Sequence, residues 1–103
     1  MSTIDIFSQN LRYYRLEYNN NGKITNVDDI GLSQEKLAEL TDFTTHYISD
    51  LERGRYGATF ETLDTLSEIL QIPVYKFFIQ NPKAIGLPER LDIYRKMKRN
   101  KSH

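Results

Sequence analysis

The chain has 103 residues, of which 39% are hydrophobic and 27% are charged, a balance typical of one soluble globular domain. It contains no cysteine, which excludes a disulfide framework and a thiolate metal site. No apolar run approaches the length of a membrane span, and the first residues lack the basic and then apolar order of a signal peptide. We therefore expect a cytoplasmic domain that uses no metal or cofactor.

The formal net charge of zero hides a difference between the body of the chain and its end. Residues 1–82 carry seven Lys or Arg against twelve Asp or Glu, a net charge of −5, whereas residues 83–103 carry seven against two, a net charge of +5. An acidic body argues against strong nonspecific binding to nucleic acid, which depends on neutralising phosphates with basic side chains.

The chain begins with the pattern of an amphipathic helix. Apolar residues three and four positions apart predict a helix from about Thr3 to Tyr18, with one buried stripe formed by Ile4, Phe7, Leu11, Tyr14 and Tyr18. Asn19–Gly22 ends this helix, and residues 19–32 are expected to form an inserted, solvated loop. Asn21-Gly22 is also suited to a hairpin turn, but the residues before it do not alternate as a strand does. Long loops are often functional, so contact with DNA or a partner stays open.

Residues 33–54 predict two short helices joined by a tight turn. Ser33 and Thr44 are suited to cap the two helices, because a hydroxyl oxygen accepts a hydrogen bond from a free N–H of the first turn. Gly54 stands where the second helix should end. Asp42 stands in the turn between the helices, where aspartate tolerates a left-handed backbone better than most residues.

Two further helices are predicted before the chain reaches a linker. Thr59 is suited to cap a fourth helix with apolar positions at Phe60, Leu63, Leu66 and Leu70, and Pro73 breaks it. Val74, Phe77 and Phe78 predict a short fifth helix. Residues 1–80 are therefore expected to form one domain, and residues 81–103 a linker with a basic C-terminal helix whose apolar side carries Leu87, Leu91 and Tyr94.

The paired helices resemble the helix-turn-helix of the Cro and phage-repressor family, also called the xenobiotic-response-element family. The matching residues are Ser33-Gln34-Glu35-x-Leu37-Ala38 and Thr44-x-x-x-Ile48-Ser49-x-Leu51-Glu52-x-Gly54. The resemblance covers residues 4–79 without the inserted loop. It implies an all-α, five-helix, lambda-repressor-like DNA-binding domain with an extended loop between helices 1 and 2. It also implies a transcriptional regulator whose recognition helix, residues 44–53, lies in the major groove of double-stranded DNA.

The resemblance also implies roles for particular residues. Family members commonly bind palindromic operators as homodimers, and an arginine on the first helix often pairs with the glutamate near the end of the recognition helix. By position, the expected base contacts are Thr44, Thr45, His46, Ser49 and Asp50. The expected phosphate contacts are Ser33, Gln34, Tyr47, Arg53 and Arg55. The expected structural pair is Arg12 with Glu52, and the candidates for a dimer surface are Val74, Phe77, Leu87, Leu91 and Tyr94.

Other classes of function have weaker support in the sequence. His46 and the terminal His103 are the two histidines, and no glycine-rich loop has phosphate-binding spacing, so an enzyme is not expected. The acidic body, and Asp50 on the predicted reading face, leave one alternative open. This is a protein-interaction module on the same fold, such as an antitoxin-like or regulatory partner-binding protein.

Overall fold

The computed structural model describes residues 1–18 and 31–84, and over these ranges the chain is all-helical. Four α-helices follow one another: α1 Thr3–Leu16, α2 Gln34–Thr41, α3 Thr45–Glu52 and α4 Phe60–Leu70. Two 3-10 helices, Val74–Phe78 and Pro82–Ala84, come after them. The predicted all-α class is confirmed for these ranges. The predicted fifth helix takes the tighter 3-10 form, so the expected five-helix count becomes four α-helices.

The core lies where α1 packs on α3 and on the 3-10 helix Val74–Phe78, while α2 packs on α3 and α4. Phe7 and Leu11 from the predicted stripe are buried, and Tyr14 and Tyr18 are partly buried against the same cluster. The fully buried apolar side chains of the later elements are Leu37, Ile48, Leu51, Leu66 and Phe77. α1 ends at Leu16, two residues before the predicted end.

Hydroxyl side chains begin the helices as predicted. The Ser33 side chain accepts a hydrogen bond from the Lys36 N–H at 2.9 Å, and Thr44 accepts one from the Tyr47 N–H at 3.0 Å. Thr59 does the same at the start of α4. Each cap satisfies one N–H that the first turn of a helix leaves without an intrahelical partner.

The turn between α2 and α3 depends on a left-handed residue. Asp42 ends α2 with φ 61° and ψ 28°, as predicted for this position. The N–H of the next residue, Phe43, donates to the Ala38 carbonyl at 3.0 Å and so satisfies the end of α2. This turn sets α3 across α2 and leaves one side of α3 facing outward.

Asn10 connects the first helix to the last described segments. Its side chain is 1% exposed, and its Nδ2 donates to the carbonyls of Phe77 and Ile79, each at 2.8 Å, and of Lys76 at 3.2 Å. These bonds hold the 3-10 helix Val74–Phe78 against α1. They also place Phe77 in the core with 0% exposure, so the prediction of Phe77 as a dimer contact is wrong.

The described residues on either side of positions 19–30 lie close together. The Gly31 N–H donates to the Tyr18 carbonyl at 2.8 Å, and the Leu32 N–H donates to the Arg15 carbonyl at 2.9 Å. Gly31 has φ +81°, and a Cβ there would lie 2.6 Å from the Leu16 carbonyl oxygen. Only glycine fits this approach without strain.

Several predictions fall on residues outside the described ranges. They are the course of the loop over residues 19–30 and the C-terminal basic helix with Leu87, Leu91 and Tyr94. These remain predictions. Within the described ranges, every helix is too short or too polar to cross a membrane.

Candidate nucleic-acid interface

The outward side of α3 carries hydroxyl and imidazole groups. Thr44, Thr45 and His46 are exposed around its first turn, and the His46 side chain is 81% exposed. Ser49 is half-buried one turn later, and Arg53 is exposed immediately after the helix. These groups can donate and accept hydrogen bonds at the edges of bases.

Asp50 does not belong to that outward surface. Its side chain is 5% exposed, so the prediction of Asp50 as a base contact is wrong. The physical reason is that neighbouring side chains cover it: His46, one turn earlier on the same side of α3, and Arg55, just after the helix, both approach its carboxylate. Its Oδ2 is 3.1 Å from His46 Nε2, and its Oδ1 is 3.5 Å from Arg55 Nη1.

The carboxylate of Asp50 is thus enclosed between two groups that are themselves exposed. Oδ1 has no hydrogen-bond partner in the structure, and Arg55 provides its nearest positive charge. A buried carboxylate is costly without such compensation. The Arg55 N–H also donates to the Asp50 carbonyl at 3.0 Å. Asp50 therefore holds Arg55 at the end of α3.

Glu52, the second acidic residue of α3, is also turned inward. Its side chain is 4% exposed and pairs with Arg15, whose Nε donates to Oε2 at 2.6 Å and whose Nη2 donates to Oε1 at 2.8 Å. The prediction of Arg12 as the partner of Glu52 is therefore wrong. A helical side chain leans toward the N-terminus of its own helix, so the arginine one turn further along α1 reaches the carboxylate.

Arg15 and Glu52 bring three elements together. The Arg15 Nη1 donates to the Leu32 carbonyl at 2.8 Å, just before α2. Gln34 Nε2 donates to Glu52 Oε1 at 3.1 Å. Sequence reasoning missed Arg15, although its place directly after Tyr14 put it at the edge of the buried stripe.

Among the residues predicted to contact phosphate, some already have protein partners. Ser33 is occupied as the cap of α2, and Gln34 uses one amide N–H on Glu52. The Tyr47 hydroxyl lies 3.0 Å from Thr62 Oγ1 on α4. Arg53 and Arg55 are both exposed, and they follow α3 on either side of Gly54, which has φ +72°. The structure thus gathers the two arginines beside the outward side of α3.

One apolar position of α4 lies outside the core. Phe60 is the first of the predicted apolar positions of this helix, and it is 87% exposed. Leu63, Leu66 and Leu70 on the same helix are buried as predicted. Phe60 is the first residue of α4, so its ring lies beyond the end of the core. Tyr56, in the connection from α3 to α4, is 57% exposed.

The exposed groups of this region are hydrogen-bonding and cationic side chains. Among the described residues, no group of three or more His, Cys, Asp or Glu is placed to hold a metal ion. The two acidic side chains of α3 are enclosed, and its exposed side presents neutral hydrogen-bonding groups followed by two arginines. Such a surface suits an electronegative partner with hydrogen-bonding edges.

Comparison with known proteins gives the family of this segment. Residues 28–77 match the helix-turn-helix family model. No curated protein gives a significant match. The crystal structure of a hypothetical transcription factor, NHTF, from Neisseria superposes with a TM-score of 0.60 at 23% identity, over 89% of this chain and 85% of that chain. At this identity the likeness concerns the fold alone. Residues 28–77 therefore match a helix-turn-helix domain of the Cro and phage-repressor type.

Proposed function

We propose that the protein is a sequence-specific DNA-binding transcriptional regulator that places α3 in the major groove. The observation that carries this proposal is that both acidic side chains of α3 are enclosed, Asp50 by His46 and Arg55 and Glu52 by Arg15. An outward carboxylate would repel phosphates, whereas the actual outward side is neutral and ends in two arginines. The match of residues 28–77 to the helix-turn-helix family model supports the same function.

In this proposal the outward side chains of α3 read base edges. Thr45 and His46 contact bases from the first turn, and Thr44 and Ser49 lie nearby. A histidine can donate to guanine acceptors, and a threonine can hydrogen-bond a base or press its methyl group on thymine. Asp50 acts indirectly, because it lies between His46 and Arg55 and fixes where both side chains can be.

The phosphate contacts come mainly from the end of α3. Arg53 and Arg55 approach the backbone just beyond α3, Tyr47 approaches it from α3 itself, and Ser33 and Gln34 approach it from the start of α2. Gln34 has a second amide N–H in addition to the one it gives Glu52. The body of the domain is acidic, so we expect modest nonspecific affinity and a strong dependence on the right sequence.

We further propose that two copies bind a palindromic operator. With Phe77 in the core, the exposed residues around it are better candidates for the contact between copies. Tyr75 is 60% exposed, Ile79 is 55% exposed and Phe78 is 39% exposed, and Val74 lies half-buried beside them. Large exposed apolar side chains that come close together often mark an interface.

The alternative of a protein-interaction module is not favoured. It was motivated in part by an aspartate on the reading face, and Asp50 is enclosed instead. Residues 1–82 keep their net negative charge, but both acidic side chains of α3 are enclosed.

The test of the proposed function is selection of bound sequences from random double-stranded DNA with the purified full chain. We expect an enriched motif with two related half-sites. The matched control is a variant with Thr45→Ala and His46→Ala, two exposed positions whose truncation leaves the core intact. Enrichment of no motif by the wild-type protein at low salt would contradict the proposal.

A further inference from the structure

We propose that the exposed rings of Tyr56 and Phe60, here called the aromatic edge, form a second DNA contact beside α3, in which the rings pack on deoxyribose of the duplex backbone. This inference rests on the proposed function and adds a source of affinity that does not depend on charge. The ring of Phe60 is 87% exposed and Tyr56 is 57% exposed.

The exposure of Phe60 is unusual for its residue type. Phenylalanine is among the residues most often buried, and burying its ring is worth about 1.5–3 kcal/mol. The free protein gives up this stabilisation at Phe60, although Leu63 and Leu66 on the same helix are packed in the core. An apolar ring held in water at this cost suits a partner that covers it.

The aromatic edge is held at a fixed position relative to α3. The Tyr47 hydroxyl of α3 lies 3.0 Å from Thr62 Oγ1 on α4, and Thr59 Oγ1 donates to the same oxygen at 3.0 Å. At the other end of the connection, the Arg55 N–H donates to the Asp50 carbonyl at 3.0 Å. A duplex that accepts α3 in its groove would therefore meet the connection from α3 to α4 in a fixed position.

Charge favours DNA as the partner of this edge. Residues 53–60 contain two arginines and no acidic residue, whereas the other described residues contain five Lys or Arg and ten Asp or Glu. Aromatic rings interleaved with basic side chains are typical of nucleic-acid contacts. If a second copy of the chain covered the edge, it would also cover Arg53 and Arg55, which are the exposed cations nearest to the outward side of α3.

The two kinds of contact can be separated by salt. Each phosphate neutralised by an arginine releases counterions, so it contributes to the slope of log Kd against log salt concentration. A ring packed on a sugar releases none. The aromatic edge should therefore strengthen binding equally at all salt concentrations.

The experiment measures Kd for one selected duplex at several salt concentrations with the full chain. We expect Phe60→Ala to weaken binding by about tenfold, the low end of the effect of burying a phenylalanine ring, with an unchanged salt slope. Arg53→Ala should instead reduce the slope by about one. The control is Leu40→Ala, because Leu40 is a 41% exposed apolar residue on α2 and should not affect Kd.

A second variant reports on the contact directly. The chain has no tryptophan, so Phe60→Trp introduces a single fluorescent indole. We expect acrylamide to quench it freely in the unbound protein and much less after the duplex is added. Protection that appears without DNA as protein concentration rises would overturn the inference and make the edge a contact between copies.

The outcomes distinguish this inference from the proposed function. If the wild-type protein binds its duplex and Phe60→Ala binds equally well, the aromatic edge is overturned and the proposed function stands. If the wild-type protein binds no duplex, both fail. A thermal midpoint of Phe60→Ala equal to that of the wild type verifies that the variant is folded.

Discussion

Arg15 on α1 and Glu52 on α3 form an ion pair through two hydrogen bonds, with side chains that are only 7% and 4% exposed. The pair sits where α1, the start of α2 and the end of α3 meet, because Leu32 and Gln34 share its remaining hydrogen bonds. The pair therefore fixes the orientation of α3 relative to α1 and the start of α2.

Replacing Arg15 by alanine should destabilise the protein strongly. The substitution leaves the Glu52 carboxylate buried without a counter-charge, which costs about 3–5 kcal/mol. Arg15→Lys keeps the positive charge but loses the two parallel hydrogen bonds of the guanidinium. Its free energy of unfolding should therefore lie between those of the wild type and Arg15→Ala. Urea unfolding at 10 °C measures both. Arg12→Ala serves as the control, and we expect it to lower the free energy of unfolding by less than about 1 kcal/mol. Equal losses at the two arginines would contradict the assignment.

His46 and Asp50 should affect DNA binding in different ways. His46→Ala removes an exposed base contact, so affinity should fall by about 1–3 kcal/mol on the selected sequence and little on random DNA. Asp50→Asn changes a side chain that is 5% exposed and holds Arg55. It should weaken binding to all sequences, and a change in the enriched motif should be confined to the position that His46→Ala alters, because Asp50 also contacts His46.

Selection from random DNA with each variant checks this difference. The comparison also tests the enclosed position of Asp50. A change of base preference with Asp50→Asn at a position that His46→Ala leaves unchanged would mean that its carboxylate reaches the bases after all.

Gly31→Ala should lower stability although it adds only a methyl group. The backbone at Gly31 has φ +81°, and a Cβ would meet the Leu16 carbonyl oxygen at 2.6 Å. A residue held in such a strained backbone conformation lowers the free energy of unfolding by about 1–3 kcal/mol. Gly57→Ala is the matched control, because a Cβ at Gly57 meets nothing within 4 Å. Thermal unfolding of both variants measures the difference in stability. An unchanged midpoint for Gly31→Ala would contradict the close approach of Gly31 to the Leu16 carbonyl.

Tyr14 should make stability fall at alkaline pH. Burial raises the pKa of its phenol, and the neighbouring Tyr13 and Tyr75 raise it further. The folded state therefore binds the phenolic proton more tightly than the unfolded chain does. This contribution is complete below the ordinary tyrosine pKa of about 10, and it is lost as the pH rises through the higher folded-state pKa.

Tyr14→Phe removes this contribution to the pH dependence. We expect the urea midpoint of the variant to decline less steeply above about pH 10 than that of the wild type. Tyr56→Phe, at an exposed tyrosine, should keep the wild-type steepness. Superimposable curves for wild type and Tyr14→Phe would contradict the role of burial at this phenol.

Much of the fold follows from local patterns in the sequence. The caps at Ser33, Thr44 and Thr59 and the left-handed turn at Asp42 depend on residues close in sequence, and all four are found as predicted. The stripe of α1 was also predicted, because helical periodicity marks which side is buried.

What the sequence did not reveal depends on contacts between distant elements. Arg12 and Arg15 are one turn apart on the same side of α1, and only the crossing of α1 with α3 decides which one reaches Glu52. Whether Phe77 or Phe78 fills the core depends on where Asn10 holds the 3-10 helix. Helical periodicity also does not show where the core ends, so it grouped the exposed Phe60 with Leu63, Leu66 and Leu70 as apolar positions of α4.

The hydrogen bonds from Asn10 to the carbonyls of Phe77 and Ile79 bear on which part of the chain can be truncated or grafted onto another protein. The segment matched by the helix-turn-helix family model, residues 28–77, lacks the whole of α1. Without α1, the carbonyls of Phe77 and Ile79 lose their donor, Glu52 loses Arg15, and the core loses Phe7 and Leu11. The part of the chain that carries the family motif is therefore smaller than the part that must be transplanted together if the motif is to keep its shape in a new protein.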